Sequence, residues 1–272
     1  SAEALAAFGN GTLYMEKYVE RARHIEVQVF GDRHGHRVHL GERDCSVQRR
    51  HQKLIEEAPS PIVDGPLRES LTAAALQLAT AASYVGAGTV EFIVDLDSGA
   101  HYFLEMNTRI QVEHPVTEAI TGIDLVTEQI RVAGGEPLSF SQHDVTRRGH
   151  AIECRINAED PASRFAPCPG TITDWREPQM SGVRIDTHCY AGYTVPPFYD
   201  SLIGKLIVHG KDRNEAIDTM LSALDRFVIE GVATTRAFSR QIVASGDFRQ
   251  SAVTTDWLEQ KFLPQYLSGN QP

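Results

Sequence analysis

Two short β-rich runs around a turn constrain the fold more than any other feature of the sequence. Thr89 to Asp95 and His101 to Asn107 contain many β-branched and aromatic residues, and Asp97-Ser98-Gly99 between them favours a turn. We therefore predict an antiparallel pair of strands. Three upstream runs of the same character predict further strands of a sheet: Leu13 to Val19, Ile25 to Phe30 and His36 to Leu40.

Helical patterns alternate with these runs. A helix is predicted from Pro66, with apolar residues spaced three or four apart, and it ends before Gly86. Another runs from about Asp124 to Val132 and is stopped by the two glycines that follow. Strands and helices mixed in this way predict the α+β class.

The pattern changes after a polar connector, Pro137 to Gly149, which lacks periodicity. We therefore place a boundary near residue 149 and predict two domains, residues 1–149 and 150–272. The second contains predicted strands separated by Pro-rich loops and then a helix: Ala151 to Ile156, Val183 to His188, Lys205 to His209, and the helix from Arg213 to Val228.

The register of the first strand pair places two carboxylates opposite each other. If Asp95 faces His101, Glu91 faces Glu105 on one side. The other side then holds apolar pairs: Val90 with Met106, Phe92 with Leu104, and Val94 with Tyr102. Facing carboxylates repel each other unless a cation, a shared proton or open water relieves them. An ordinary solvated face and a functional site both remain open at this point.

The residues that follow favour a site. If extended, the run from Glu105 to Glu113 spans roughly 26 Å at ~3.3 Å per residue and turns five different polar side chains to one side. These are Glu105, Asn107, Arg109, Gln111 and Glu113. An exposed face would favour interchangeable Lys, Glu and Thr instead.

The side chains in this row suit three chemical tasks. Glu91, Glu105 and Asn107 offer the oxygen ligands that Mg²⁺ takes when it also holds substrate phosphates. Arg109 offers a planar fork of donors for a small oxyanion. Glu113 offers a carboxylate for general base catalysis.

A basic stretch from Gly41 to Lys53 is a second candidate site. The chain as a whole has a formal net charge of −10, so this local excess of cations suits an anion. A solvated loop is the alternative interpretation. The sequence contains no G-x-x-x-x-G-K-[ST], G-x-G-x-x-G or His-Glu-x-x-His pattern. P-loop NTPases, Rossmann dehydrogenases and zincins are therefore disfavoured.

Charge, hydropathy and cysteine usage narrow the function classes further. The negative net charge argues against nucleic acid as a partner. No apolar stretch approaches the roughly 18 residues that a membrane span requires. Four scattered cysteines predict free thiols in a reducing compartment, and hence a cytoplasmic location: Cys45, Cys154, Cys168 and Cys189.

Several long segments, in order along the chain, carry a resemblance to a known family. Met15 to Tyr18, Glu42 to Lys53, Glu105 to Pro115, and Glu153 to Asp160 together closely resemble the biotin carboxylases, which are ATP-grasp enzymes. The family serves acetyl-CoA carboxylase in fatty acid biosynthesis, and propionyl-CoA, pyruvate and related carboxylases. The resemblance implies the second part of an ATP-grasp domain followed by a mainly antiparallel β C-terminal domain.

The resemblance also implies a reaction. Biotin on a carrier protein would be carboxylated by bicarbonate at the expense of ATP, with Mg²⁺ or Mn²⁺ as the metal and carboxyphosphate as the intermediate. The partners implied are a biotin carboxyl carrier and a carboxyltransferase, on other chains or other domains. The family often forms homodimers, and Arg184 is a candidate for such an interface.

Residue by residue, the family's motifs assign roles to positions of this chain. For ATP, the resemblance assigns Glu16, Lys17 and Val19 to the adenine edge and His24, Gln48 and His51 to the ribose and phosphates. The resemblance places Lys53 near phosphate and bicarbonate, and it assigns Glu91, Glu105 and Asn107 to the magnesium shell. For bicarbonate, it assigns Arg109, Gln111 and Val112 to the pocket and Glu113 to the role of base. Arg155 would stabilise the biotin enolate.

The chain also departs from the family pattern. It lacks the family's N-terminal domain, the ATP-grasp lysines and the Gly-rich lid, and it has no Ala-Met-Lys-Met biotinylation sequence. We therefore expect a fragment, with the carrier elsewhere. Two alternatives stay open: another ATP-grasp ligase such as a carbamoyl phosphate synthetase, and a non-catalytic assembly module that keeps the fold.

Overall fold

One antiparallel sheet of eight strands organises the chain. The computed structural model describes residues 1–13 and 15–269. The sheet has the order β11-β13-β6-β3-β2-β1-β4-β5. The strands are β1 (Ala22–Gly31), β2 (Arg37–Arg49), β3 (Gln52–Ala58), β4 (Gly86–Asp95), β5 (His101–Asn107), β6 (His150–Asn157), β7 (Glu159–Asp160), β8 (Ala166–Pro167), β9 (Gly170–Thr171), β10 (Asp174–Arg176), β11 (Val183–Thr187), β12 (Thr194–Val195), β13 (Leu202–Gly210) and β14 (Val228–Glu230).

Several of the helices pack against this sheet. The helices are α1 (Ala2–Phe8), α2 (Gly65–Ala81), α3 (His114–Thr121), α4 (Leu125–Ala133), α5 (Arg213–Arg226), α6 (Arg236–Ala244), α7 (Gly246–Arg249) and α8 (Leu263–Leu267), with a π-helical turn at Leu258–Phe262. Those that pack against the sheet are α2 to α6. The α+β class is confirmed. Among the residues that the structure describes, no helix combines the length and apolar character needed to cross a bilayer.

Most predicted elements lie where the sequence placed them. The helix from Pro66 is α2, whose N-cap Asp64 accepts a hydrogen bond from Leu67 N, and the helix near Asp124 is α4. The helix predicted over Arg213 to Val228 ends at Arg226 instead, because Val228 pairs with Arg176 in a short separate sheet.

The strand predicted from Leu13 to Val19 is wrong. Tyr14 lies outside the described residues, and the others form no strand. Met15 and Tyr18 expose most of their side chains. A β-rich run needs a neighbouring strand to pair with, and this one has none among the described residues.

The β4–β5 register is correct on one side of Glu91 only. Glu91 faces Glu105 and Val90 faces Met106, as predicted. A bulge after Glu91 then shifts the pairing, so that Val94 rather than Asp95 lies opposite His101. The remaining predicted apolar pairs are therefore replaced: Phe92 faces Phe103 and Ile93 faces Tyr102.

Strand β3 connects the two halves of the sheet. It pairs with β2 on one side and with β6 on the other, so hydrogen-bonded strands continue across residue 149. The division of the chain at that point stays a prediction. The largest apolar core lies between the β6–β13 region and α5, α6 and the C-terminal turns, and a second core lies between α2 and strands β1 and β4.

Candidate active site

The facing carboxylates of the β4–β5 pair are bridged by an amide. Glu91 is buried and Glu105 is exposed at the outer strand of the sheet. Asn107 Nδ2 donates to Glu91 Oε1 at 3.0 Å and to Glu105 Oε1 at 3.1 Å. The structure therefore brings together all three side chains predicted to hold the metal.

Lys53 lies at the centre of a cluster of three acids, Glu26, Glu91 and Glu113. Its ammonium donates to Glu26 Oε2 at 2.6 Å, to Glu91 Oε1 at 2.8 Å and to Glu113 Oε1 at 2.6 Å. Burial opposes its charge, but these carboxylates outweigh burial and raise the pKa of Lys53 well above its ordinary value. A permanent cation thus relieves the repulsion among three acids.

Glu26 and Arg43 form a fully buried layer of this cluster that the sequence did not reveal. Arg43 Nε donates to Glu26 Oε1 at 2.5 Å, and Arg43 Nη2 donates to Gln111 Oε1 at 3.1 Å. Burial raises the pKa of Glu26, but Arg43 and Lys53 together lower it to about 2. Alternation on β1 could have shown Glu26 to share a face with His24, but not that this face is covered.

Glu113 is held between cations from two parts of the chain. It is the N-cap residue of α3, and its Oε1 accepts from Lys53 as described. Its Oε2 accepts from Arg155 Nη2 at 2.9 Å, and Arg155 Nε donates to Glu56 Oε1 at 2.6 Å. The candidate base and the candidate biotin arginine are therefore direct neighbours.

The predicted row from Glu105 to Glu113 is not an extended strand. The strand ends at Asn107 and the chain turns before α3, because Pro115 in the first turn and the buried Val116 and Ile120 begin a helix that the sequence analysis missed. The turn still directs Gln111 into the site, where its Nε2 donates to Glu91 Oε1 at 2.8 Å.

Arg109 and Val112 contact the site less directly. Arg109 is exposed and donates to Asn107 Oδ1 at 3.4 Å, so its guanidinium lies over the open edge. The carbonyl of Val112 accepts from Lys205 Nζ at 3.0 Å. This bond fixes the segment that carries Glu113.

His24, for which proximity to the ribose and phosphates of ATP stays a prediction, lies beside the carboxylates. Its Nε2 is 2.8 Å from Glu91 Oε2. Burial opposes ionisation of Glu91, but His24 and Lys53 lower its pKa well below the ordinary value. Glu91 is therefore a carboxylate throughout the neutral range.

The basic stretch is not a solvated loop. Residues 41–49 are buried in β2, and Gln48 is buried opposite Lys53. His51 lies exposed in the turn to β3, where it and Arg50 have positive φ values of 63° and 49°. Gln48 and Lys53 are thus brought together, while His51 lies at the end of the hairpin.

The predicted adenine segment is not drawn into the cluster. Glu16 and Lys17 are exposed and Val19 is half-buried, on a segment without regular structure. One contact ties it to the sheet, because Lys17 Nζ donates to the Tyr102 hydroxyl on β5 at 3.0 Å. That contact raises the pKa of Lys17.

The side chains fit a hard divalent cation at the open edge of the sheet. Deeper in the cluster, two groups of described side chains converge closely enough to bind a metal: His24, Glu26 and Glu91, and Glu26, Cys45 and Glu113. Their carboxylates are already paired with Lys53 and Arg43. At the edge, Glu105 keeps an exposed carboxylate and Asn107 an amide oxygen. Oxygen ligands that leave room for phosphate are what Mg²⁺ requires.

The chain is similar over nearly its whole length to known proteins. It matches the family model of the ATP-binding domain of the carbamoyl-phosphate synthase L chain over residues 1–141, and that of the biotin carboxylase C-terminal domain over residues 153–260. It is 56% identical over 258 residues to biotin carboxylase of Nostoc sp., a match that covers 95% of this chain and 58% of the relative. Biotin carboxylase 1 of Bacillus subtilis is 54% identical over 257 residues, covering 94% of this chain and 57% of that protein.

A solved structure has the same fold. It is the biotin carboxylase domain dimer of the 2-oxoglutarate carboxylase of Hydrogenobacter thermophilus, in complex with MgADP, ADP and bicarbonate. The TM-score is 0.92 at 50% identity, covering 98% of this chain and 58% of that one. The chain thus spans a little over half the length of the relatives it matches.

Proposed function

Because this chain belongs to the biotin carboxylase family of ATP-grasp enzymes, we propose that it serves the ATP-dependent carboxylation of biotin by bicarbonate. The single observation that carries this proposal is the position of Glu113, whose two carboxylate oxygens bind Lys53 and Arg155. Lys53 belongs to the ATP-grasp part and Arg155 to the biotin carboxylase part. A base at that junction lies where bicarbonate activation and transfer to biotin would meet.

In the first step, bicarbonate attacks the γ-phosphoryl group of ATP. Its oxygen forms the new bond to phosphorus, ADP leaves, and Glu113 takes the bicarbonate proton to give carboxyphosphate. Lys53 and Arg109 hold the anions together, and Gln111 and Val112 shape the bicarbonate pocket. Fixed cations act strongly here because they need no reorganisation as charge develops.

ATP and magnesium complete the proposed site. Glu16, Lys17 and Val19 contact the adenine, while His24, Gln48 and His51 face the ribose and phosphates. Glu91, Glu105 and Asn107 hold Mg²⁺ or Mn²⁺, which neutralises charge on the phosphates when bound. Glu105 and Asn107 lie at the open edge, where a nucleotide could reach them, and the buried Glu91 is hydrogen-bonded to Asn107 just behind them.

In the second step, the bond between the carboxyl carbon and the phosphate oxygen of carboxyphosphate breaks, the carboxyl group passes to N1 of biotin, and the phosphate that leaves takes the N1 proton. Arg155 stabilises the negative charge that develops on the biotin oxygen as N1 loses its proton. We propose that biotin arrives on a carrier protein or domain and that a carboxyltransferase passes the carboxyl group on. The family's acceptors differ, so acetyl-CoA for fatty acid synthesis is one candidate beside pyruvate and 2-oxoglutarate.

We propose further that the protein dimerises, as the Hydrogenobacter thermophilus domain does. Arg184 bonds Glu118 Oε2 at 2.7 Å, at the edge of an open cavity of about 600 Å³ between α3 and β11, where a second copy could pack. A cytoplasmic location is consistent with four cysteines that are all free.

The response to acceptors tests the proposed activity. The natural full-length protein is expected to release ADP from Mg-ATP and bicarbonate faster when free biotin is added, and not when ammonia or an amino acid is added. Stimulation by an amine instead would indicate another ATP-grasp ligase. A folded protein that fails to bind Mg-ATP would indicate a non-catalytic module.

A further inference from the structure

Two carboxyl groups beneath the site face each other directly across neighbouring strands. Glu56 on β3 pairs in register with Glu153 on β6, and both side chains are fully buried. Helix α3 packs over these strands. Next to the pair, on these strands, on β13 and on α3, lies a small apolar cluster: Ala58, Val116, Ile120, Ala151 and Ile207.

Only one of the four carboxyl oxygens has a hydrogen-bond partner among the described residues. Glu56 Oε1 accepts from Arg155 Nε at 2.6 Å. Glu56 Oε2 and both oxygens of Glu153 have no partner in that part of the chain. Two facing carboxylates lack a donor between them, whereas one proton on the pair would supply it.

The neighbouring charges do not neutralise a second carboxylate. Lys205 is bonded to Val112 O, and Lys53 is bonded to three other acids, while Glu113 adds a further negative charge nearby. Burial and the charge of Glu56 raise the pKa of Glu153 well above its ordinary value. Burial also raises the pKa of Glu56, to about 7, although Arg155 opposes the shift.

We propose that Glu153 is a neutral acid that shares its proton with Glu56, and that Glu56, held in this way, is the positioning residue for Arg155. The inference rests on the proposed biotin carboxylase activity for the role of Arg155. The contact with the guanidinium keeps the negative charge on Glu56, so the proton resides on Glu153 and points to Glu56 Oε2.

The arrangement fixes the arginine for its task. Glu56 binds Nε and Glu113 binds Nη2, so two of the three nitrogens are anchored. Nη1 makes no hydrogen bond to a described residue and remains available to a substrate oxygen. A guanidinium fixed at two points presents its third nitrogen in one direction.

Three variants of the natural full-length protein test the inference. Glu153→Gln replaces a neutral acid by a neutral amide of the same shape, so we expect activity within about threefold of the parent. Glu56→Gln removes the charge that orients Arg155, so kcat/KM for biotin should fall about 10- to 100-fold. The slow biotin-independent, bicarbonate-dependent ATP cleavage should stay unchanged.

Glu57→Gln is the matched control. Glu57 is buried on the same strand, but it bonds His150 and Arg213 on the opposite face, away from the site. The Glu57→Gln substitution should not change the ratio of biotin-dependent to biotin-independent ATP cleavage. The infrared spectrum of the parent protein at neutral pH should contain the C=O stretch of a protonated carboxylic acid. The Glu153→Gln substitution should remove this band.

Each outcome bears on the inference. A carbonyl band that persists in Glu153→Gln, or a loss of activity as large as in Glu56→Gln, overturns the shared proton. Equal effects of Glu56→Gln and Glu57→Gln on biotin kinetics overturn the positioning role of Glu56.

If Glu56→Gln does not fold, Glu56→Asp is the second variant. It retains the charge, shortens the reach to Arg155 and allows the same comparison. A parent protein without any response to biotin would defeat the proposed function, and with it the role given to Arg155, while the infrared result still decides the proton.

Discussion

Replacing Lys53 by Met should lower the free energy of unfolding by about 3–5 kcal/mol near neutral pH and abolish ATP cleavage. The variant would leave Glu26, Glu91 and Glu113 close together without the ammonium they share. Methionine fills a similar volume, so the loss reports the missing charge rather than a cavity. Denaturant unfolding and ADP release measure the two effects.

The loss of stability in Lys53→Met should become smaller as the pH falls. The pKa of Glu26 lies near 2 in the folded protein, below its ordinary value of 4.5, and the pKa of Glu91 is also lowered. The stability that these groups contribute is therefore present above about pH 4.5 and disappears as the pH falls toward 2. The difference between the parent and Lys53→Met should shrink over the same interval.

Lys261→Met is the control for Lys53→Met. Lys261 pairs with Asp247 at 2.7 Å, but its side chain is 54% exposed. An ion pair in water contributes about 0–1 kcal/mol, so little stability should be lost. Equal losses in the two variants, or a Lys53 effect that grows on acidification, would contradict the central place given to Lys53.

Replacing Glu113 by Gln should lower bicarbonate-dependent ATP cleavage by about 10²- to 10⁴-fold, which is the usual contribution of a general base. Glutamine keeps the shape of the side chain but cannot take the bicarbonate proton. Because the defect lies in chemistry, kcat should fall while the KM for ATP changes little. Steady-state ADP release at saturating bicarbonate measures it.

Glu128→Gln controls for the loss of a buried carboxylate. Glu128 is buried in α4 and accepts from Arg131 at 3.1 Å, with no contact to the cluster around Lys53. Its replacement should leave kcat unchanged. A Glu113→Gln variant that retains more than about a tenth of the parent's kcat would rule out Glu113 as the base.

Local sequence patterns were sufficient to predict much of the sheet and part of the candidate site. The β-rich runs around Gly99 predicted the β4–β5 pair, and alternation placed Glu91 opposite Glu105. The register failed after Glu91, because a bulge adds a residue to one strand and alternation along a strand does not reveal where that happens.

The deeper part of the site could not be predicted from the residues. A buried carboxylate such as Glu26 and a solvated one on a strand have the same local sequence, since burial depends on what packs above them. Helix α3 supplies that cover for the cluster, and it was hidden in a run interpreted as extended. Glu56 and Glu153 lie far apart in the sequence, and only the pairing of β3 with β6 places them opposite each other.

The family resemblance assigned roles to residues that strand alternation alone did not single out. It assigned roles to His24 and Arg155, which lie far from the hairpin in sequence yet contact Glu91 and Glu113 in the structure. It also assigned Glu16, Lys17 and Val19 to adenine, and those residues remain outside the cluster.

The most direct test of the central claim follows labelled carbon from bicarbonate to biotin. The natural full-length protein, given Mg-ATP, ¹⁴C-bicarbonate and free biotin, is predicted to form acid-labile carboxybiotin in step with ADP release, and Arg155→Met is predicted to lose carboxybiotin while keeping slow ATP cleavage. ADP release without any label on biotin, in a folded protein that binds Mg-ATP, would contradict the account.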